Sequence, residues 1–376
     1  MPHLHVASSA RLPVASRLRW PHIRSERGAT CQGARGLATV AAPAQATHSP
    51  PPLDSKVPPR ARGARELWLH DKAYEHGFYQ SIAKIMQWRD RYVEDRTIFV
   101  RHEEMVDLMR GLGAREEDFG RLQVVSDNLQ TDPTLPFRKS RTGRFCMDYD
   151  RQSLRRLEFQ SFSLSAAEDF KRHDSDTVRV FDEIQEDLHS NTVLQGLMIF
   201  KAMVMHGVPT MRRPNFDYGA NKWVCTMFNL RTLTRPDILG EPALEGVHTD
   251  GVDHTMTTYP GSSNMTPNSA VTLLHERDET TGTPFHETSP NKIYGRAQHT
   301  KFLDTLLVAD HEYKHSLSPV YAVDEAQEAT RDMLIFFTRK PVTEGHIMAG
   351  SDSLKSHEES PLDIPLFTLP NGECAD

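Results

Sequence analysis

The segment Glu245-Gly246-Val247-His248-Thr249-Asp250-Gly251-Val252-Asp253 holds the residue types best suited to chemistry. On an extended strand, positions i and i+2 face the same side. His248 and Asp250 therefore aim an imidazole and a carboxylate into one space. With a second imidazole on the same face and positions left open, such a set suits Fe(II). The same three donors also suit zinc. The second imidazole must come from a distant strand, and His315, which follows the apolar run 303–309, is the candidate. A His-x-Asp triplet is weak evidence in a chain with 19 histidines. Its context has to supply the specificity.

Arg331 is that context. It opens the apolar stretch Asp332-Met333-Leu334-Ile335-Phe336-Phe337. A 2-oxoglutarate co-substrate chelates iron through its keto acid, and its far carboxylate then needs a fixed cation. Arginine offers a planar fork that binds a carboxylate through two hydrogen bonds. An ion pair of Arg331 with Asp332 or Asp310 is the alternative, because buried charges are usually paired. Phe228, Ile335 and Phe337 are candidate pocket walls. His286 is a candidate for orienting a substrate, although it, His254 and His275 also read as core-edge or surface histidines.

The segments Asn229-Leu230-Arg231, Glu245 to Asp253, Asp304-Thr305-Leu306-Leu307-Val308, His315 with Pro319, and Arg331-Asp332-Met333-Leu334 occur in that order. In this they resemble the Fe(II)/2-oxoglutarate-dependent dioxygenases over residues 155–340. More narrowly, they resemble the free-amino-acid hydroxylases typified by bacterial isoleucine hydroxylases. The resemblance implies a double-stranded β-helix. It implies Fe(II) held by His248, Asp250 and His315, with 2-oxoglutarate clamped by Arg331 and O2 as oxidant. It also places Arg231 where it could meet a substrate carboxylate. Asp253 could support the metal ligands or serve a turn, and Arg339 could be a second co-substrate contact or a solvated strand end. The implied reaction is hydroxylation of an unactivated carbon of a free aliphatic amino acid, releasing succinate and CO2. Diversion to desaturation or to cyclisation with C–N bond formation is the alternative. A non-catalytic or zinc-binding barrel is the rival from another class. The sequence departs from the family at 282–287, where Gly-Gly-Glu is usual, at His254, and in an apparent insertion at 255–268.

The elements that must position these groups are legible in outline. Phe78, Ile82, Ile85, Met86 and Tyr92 recur at helical spacing, and Met105, Leu108 and Met109 repeat the pattern before Gly111. Residues 126–152 read as a long loop, and a short strand is expected near 159–164. Two helices are expected near 177–188 and 191–206, the second apolar enough to pack on two sides. After Gly207 the period changes to short strands at 223–233, 270–275, 303–309, 319–323 and 333–338. The expected class is α+β with a mainly β core, a double-stranded β-helix of the jelly-roll or cupin kind buttressed by N-terminal helices. The divisions are 1–65, 66–152 (helical extension), 153–345 (catalytic core) and 346–376 (polar tail).

Composition supports these divisions. Apolar residues make up only 38% of the chain, below the globular norm of roughly 45–50%, so part of it forms no core. The first 65 residues are rich in arginine and serine and poor in acid, with Arg35-Gly36-Leu37-Ala38-Thr39 resembling a presequence cleavage region. A mitochondrial targeting segment and a Pro-rich linker are expected there, with a cytoplasmic protein as the alternative. A net charge of −7 argues against a nucleic-acid-binding face built on bulk charge. No apolar run reaches the roughly 18 residues of a membrane span. Four scattered cysteines without close spacing argue against a disulfide scaffold or a Cys-rich zinc site. The expected partner is a small-molecule substrate.

Overall fold

The computed structural model describes residues 66–72, 75–163 and 175–366. Residues 1–65, expected to be a targeting segment and linker, lie outside the described residues. The helical part begins with α1 (Leu69–Lys72) and α2 (His76–Asp95). After β1 (Thr97–Val100) come α3 (His102–Gly111) and α4 (Glu116–Gln123). Then follow β2 (Arg138–Asp148), β3 (Ser153–Leu157), β4 (Asp182–Glu183), α5 (Glu186–His189) and α6 (Thr192–Met205). The rest is strand: β5 (Lys222–Thr234), β6 (His254–Ser263), β7 (Thr272–His275) and β8 (Ile293–Ala297). It closes with β9 (Thr305–Ala309), β10 (Lys314–Leu317), β11 (Ala329–Arg339) and β12 (Asp363–Pro365).

Two sheets result among the described residues. The major sheet runs β1-β9-β6-β11-β5-β2-β3-β12, with β4 beside β2; the minor sheet runs β10-β7-β8. Pairing is antiparallel except between β2 and β4. Strand period 2 divides the major sheet cleanly. Met227, Met256, Leu307, Leu334 and Phe336 point outward into one apolar cluster with α2, α3 and α6. Their neighbours Phe228, Thr257, Leu306, Val308, Ile335 and Phe337 point inward and line a cavity. The expected double-stranded β-helix, with helices packed on one sheet, is this structure.

Helix α6 is the main buttress. Asn191 caps it by accepting from the amides of Val193 and Leu194, and all fourteen of its residues are buried. Lys201, fully buried in it, donates to the carbonyl oxygens of His254 and Phe336. Burial pushes its ammonium down to about 7. This lysine ties the helix to β6 and β11, whose inward faces carry the cavity residues. No helix among the described residues is long and apolar enough to cross a membrane. Cys146 and Cys225 are buried free thiols.

Several expectations are corrected. Residues 126–152 are not all loop, and 66–152 is not purely helical, because β2 is a central strand. Its Arg138, Arg141 and Arg144 hide the apolar alternation, and each is neutralised by an acid: Asp132, Asp187 and Asp352. Residues 177–188 hold β4 and most of the four-residue α5 rather than one long helix. Near 159–164 Phe162 forms an isolated bridge with Arg179, and 319–323 makes bridges through Val320 and Ala322 rather than a strand. The apparent insertion at 255–268 contains most of β6, whose Thr-rich inward face disguised it. The described part of the tail, to residue 366, joins the fold: Leu362, Ile364 and Leu366 are buried, and Ile364 pairs with Leu154. Arg339, read as a co-substrate contact or solvated end, instead binds Asp352 at 3.1 Å beside Arg144 at 2.7 Å. Breaking a buried ion pair by removing one partner costs about 3–5 kcal/mol. Asp352→Ala should lower folding stability by that order in urea unfolding, since two buried guanidinium groups lose their acid. An unchanged midpoint would show that the tail does not hold the sheet.

Candidate active site

His248 does not sit in a regular strand. It forms an isolated antiparallel bridge with His315 of β10. The two exchange both backbone hydrogen bonds, at 2.9 and 2.8 Å. Their rings lie 4.3 Å apart between centroids. Asp250 follows in loop conformation, yet the expected convergence holds. Its Oδ1 stands 3.6 Å from Nε2 of each histidine, and the three ligand atoms lie within 4.8 Å of one another. These residues could hold a metal ion.

His248 and Asp250 are each held by neighbours. The Nδ1–H of His248 donates to the Gly246 carbonyl at 2.8 Å, which directs Nε2 toward Asp250. Gly246 adopts φ 73°, and a Cβ there would come 2.4 Å from the Thr283 carbonyl oxygen. Only glycine fits. Thr255 Oγ1 donates to Asp250 Oδ2 at 2.6 Å. Asp310 accepts from the amides of Asp250 and Val252 at 2.8 and 3.2 Å, fixing the loop.

Buried acids dominate the electrostatics around His248. Burial disfavours a charged His248, but the carboxylates of Glu245 and Asp250 and the Gly246 carbonyl overcome it and raise the group to about 9. Burial would raise Asp250, but the charges and hydrogen bonds of His315 and His248 hold it far below the usual carboxylate range. Asp310 is pushed up, by burial and then by the charge of Asp250.

These groups open onto a cavity of about 130 Å³ between the two sheets. Alternate residues of β11, Arg331, Met333, Ile335 and Phe337, line one side. Arg331 is 4% exposed, its Nε has no hydrogen-bond partner, and no ion pair to it is present among the described residues. Burial lowers its guanidinium to about 10, so it stays charged at neutral pH. The alternative of a pair with Asp332 fails, because Asp332 lies on the outer face. There it binds Arg231 at 2.6 Å across the strands, and Arg231 also reaches Asp127 at 2.9 Å. Arg231, expected near a substrate, therefore does not line the cavity, since the strand period turns it away.

Phe228 lines the cavity as expected. His286 does not: it sits on a surface 3₁₀ turn with its side chain 78% exposed. His254 is buried on the outer face, bonded to Tyr92 Oη at 2.7 Å. His275 bonds Ser316 at 2.8 Å, and burial lowers it to about 4. Asp253 is buried and accepts from Tyr218 Oη at 2.7 Å and from the Lys340 amide at 3.2 Å. Sequence reasoning missed Thr255, Asp310, Glu245 and His299. His299 lines the cavity, donates through Nε2 to the Thr257 carbonyl, and is lowered to about 3 by burial and Arg331. Glu245 stood within the quoted segment; the others carried no local signal.

A barrel of this form, with two imidazoles, a carboxylate and a buried arginine lining one cavity, fits a class of oxygenase that binds a metal and an anionic co-substrate. Residues 123–337, more than half the chain, match the model of the 2OG-Fe dioxygenase family, and the chain belongs to that family. It is an enzyme, a 2-oxoglutarate-dependent dioxygenase using Fe(II), 2-oxoglutarate and O2. It is similar to the Fe(II)/α-ketoglutarate-dependent dioxygenase TqaL, at 52% identity and a TM-score of 0.68 over 78% of this chain and 99% of that one. It is 45% identical over 301 residues to the bifunctional enzyme flvA of Aspergillus flavus, covering 80% of this chain. The chain spans 37% of that relative's length. A bsmA homologue from Methylobium petroleophilum PM1 shares the fold at 16% identity and a TM-score of 0.55, over 69% of this chain and 95% of that one.

The donor set and the unpartnered buried guanidinium fit Fe(II) with a dicarboxylate. Two outcomes follow. His248 keeps its proton up to about 9, whereas a metal needs the neutral imidazole. Divalent metal binding at pH 7 should therefore release about one proton, and affinity should rise with pH until His248 titrates. Calorimetry in buffers of different ionisation enthalpy checks this; binding without proton release would contradict it. Thr255→Val should weaken metal binding about 10- to 100-fold, the usual effect of removing a partner of a ligand, with the fold intact by circular dichroism.

Proposed function

We propose that His248, Asp250 and His315 hold the Fe(II), that Arg331 binds the far carboxylate of 2-oxoglutarate, and that the substrate is a free aliphatic amino acid or a similar small molecule. The observation that carries the substrate reading is the mixed lining of the cavity. Phe228, Ile335 and Phe337 give it an apolar wall, while Arg179 brings a buried positive charge to the same space. Arg179 lies 5.1 and 5.8 Å from the ring centroids of Phe162 and Phe181. Arg138 also lines the cavity and pairs with Asp132 at 2.7 Å. An aliphatic body and a carboxylate match these surfaces, and the volume suits a small molecule.

Bound Fe(II) with 2-oxoglutarate and O2 supplies an oxidant able to attack an unactivated carbon, with succinate and CO2 as co-products. The chain's own residues set the geometry. Thr255 and Gly246 orient the ligands, Arg331 fixes the co-substrate, and the aromatic wall excludes water and positions the carbon to be attacked. The purified full chain, supplied with Fe(II), 2-oxoglutarate, air and a panel of aliphatic amino acids, should form succinate that depends on one of them. His248→Ala should abolish it, and Arg331→Ala should reduce it at limiting 2-oxoglutarate. Product mass separates hydroxylation, a gain of one oxygen, from desaturation or cyclisation, a loss of two hydrogens. Succinate formation that no amino acid stimulates would sink the substrate assignment.

A further inference from the structure

Glu245 lines the same cavity, with its side chain only 8% exposed. Its Oε1 lies 3.4 Å from His248 Nε2, and no hydrogen bond to its carboxylate is present among the described residues. The neighbouring histidine cannot serve it in the working enzyme. Nδ1 of His248 already gives its proton to the Gly246 carbonyl. Once a metal takes Nε2, that nitrogen has no proton to donate. A buried carboxylate left without a donor is costly, so the loaded site leaves Glu245 in need of a cation.

Two cations could meet that need: the metal itself, or a positively charged part of the substrate. The metal already has a carboxylate in Asp250, seated against both histidines and oriented by Thr255. Glu245 is not among the residues whose donor atoms converge. The turn that carries it brings Pro242 and Ala243 to the cavity, neither of them charged. Resting on the reading of this cavity as the substrate site, we infer that Glu245 binds the ammonium group of the substrate. The amino group stands beside His248, and the aliphatic side chain lies along Phe228, Ile335 and Phe337. Glu245 thereby becomes the residue that distinguishes an α-amino acid from the plain carboxylic acid of the same carbon skeleton.

The test is binding, with redox-silent Mn(II) in place of iron and 2-oxoglutarate present. Calorimetry compares L-valine, L-leucine and L-isoleucine with their desamino counterparts. A site built to pair a substrate N–H rejects the analogue lacking it strongly. The wild type should prefer the best amino acid by about 100-fold or more over its counterpart. Glu245→Gln should lose most of that preference and keep its 2-oxoglutarate affinity, while Mn(II) still binds at least as tightly, because the carboxylate that helps hold the His248 proton is gone. Undiminished preference in Glu245→Gln would overturn the inference and leave the amino-acid reading standing. Loss of Mn(II) affinity would overturn it too, by making Glu245 a metal ligand. Failure of the wild type to bind any amino acid would sink both. If Glu245→Gln does not fold, Glu245→Asp decides: a weakened preference supports the inference, and a full one overturns it.

Discussion

Everything at this site depends on one pair of backbone hydrogen bonds, those between His248 and His315. The two residues are far apart in the chain, and neither segment is a long strand. Their mutual bridge sets the spacing of the two imidazoles. It also ties the loop that ends in Asp250 to the minor sheet, while Thr255 and Asp310 tie the same loop to the major one. The ligand set is therefore assembled at the seam between sheets. Gly246 makes the approach possible, because a side chain there would strike the Thr283 carbonyl.

Buried charge is the second constraint, and the fold treats it in two ways. On the outer face and in the tail, charges are matched within the protein: Arg231 with Asp332, Arg144 and Arg339 with Asp352. Facing the cavity the treatment is mixed: Arg138 pairs with Asp132, while Arg331 has no ion pair among the described residues, and His248, Asp250, His315 and Glu245 gather at one place. The difference follows from strand period. Arg331 and Asp332 are neighbours in sequence, yet one faces the cavity and the other the outside. Lys201 shows the same discipline from behind, since its ammonium is satisfied by two strand carbonyls rather than by an acid.

That His248, Asp250 and His315 converge, and that Arg331 and the aromatic wall line one cavity, was legible because residue type and spacing are local or periodic. An i, i+2 pair shares a face, and an alternating apolar strand announces itself. The helices α2, α3 and α6 were legible for the same reason. What was illegible had its signal masked by charge. β2 reads as a basic loop until its arginines find acids as distant as Asp352. β6 reads as a polar insertion because its inward face is threonine. Arg231 and His286 have suitable chemistry, and only the direction of a strand and the exposure of a turn remove them from the site.

The sequence by itself determined the class of chemistry, the apolar faces and the order of the segments that bring His248, Asp250 and His315 together, since these follow from residue type and spacing. Tertiary structure alone decided which charges are spent on each other and which remain for a ligand. That depends on distances between residues up to a few hundred positions apart. It is why Glu245, Thr255, Asp310 and His299 acquire roles only when the two sheets close around them.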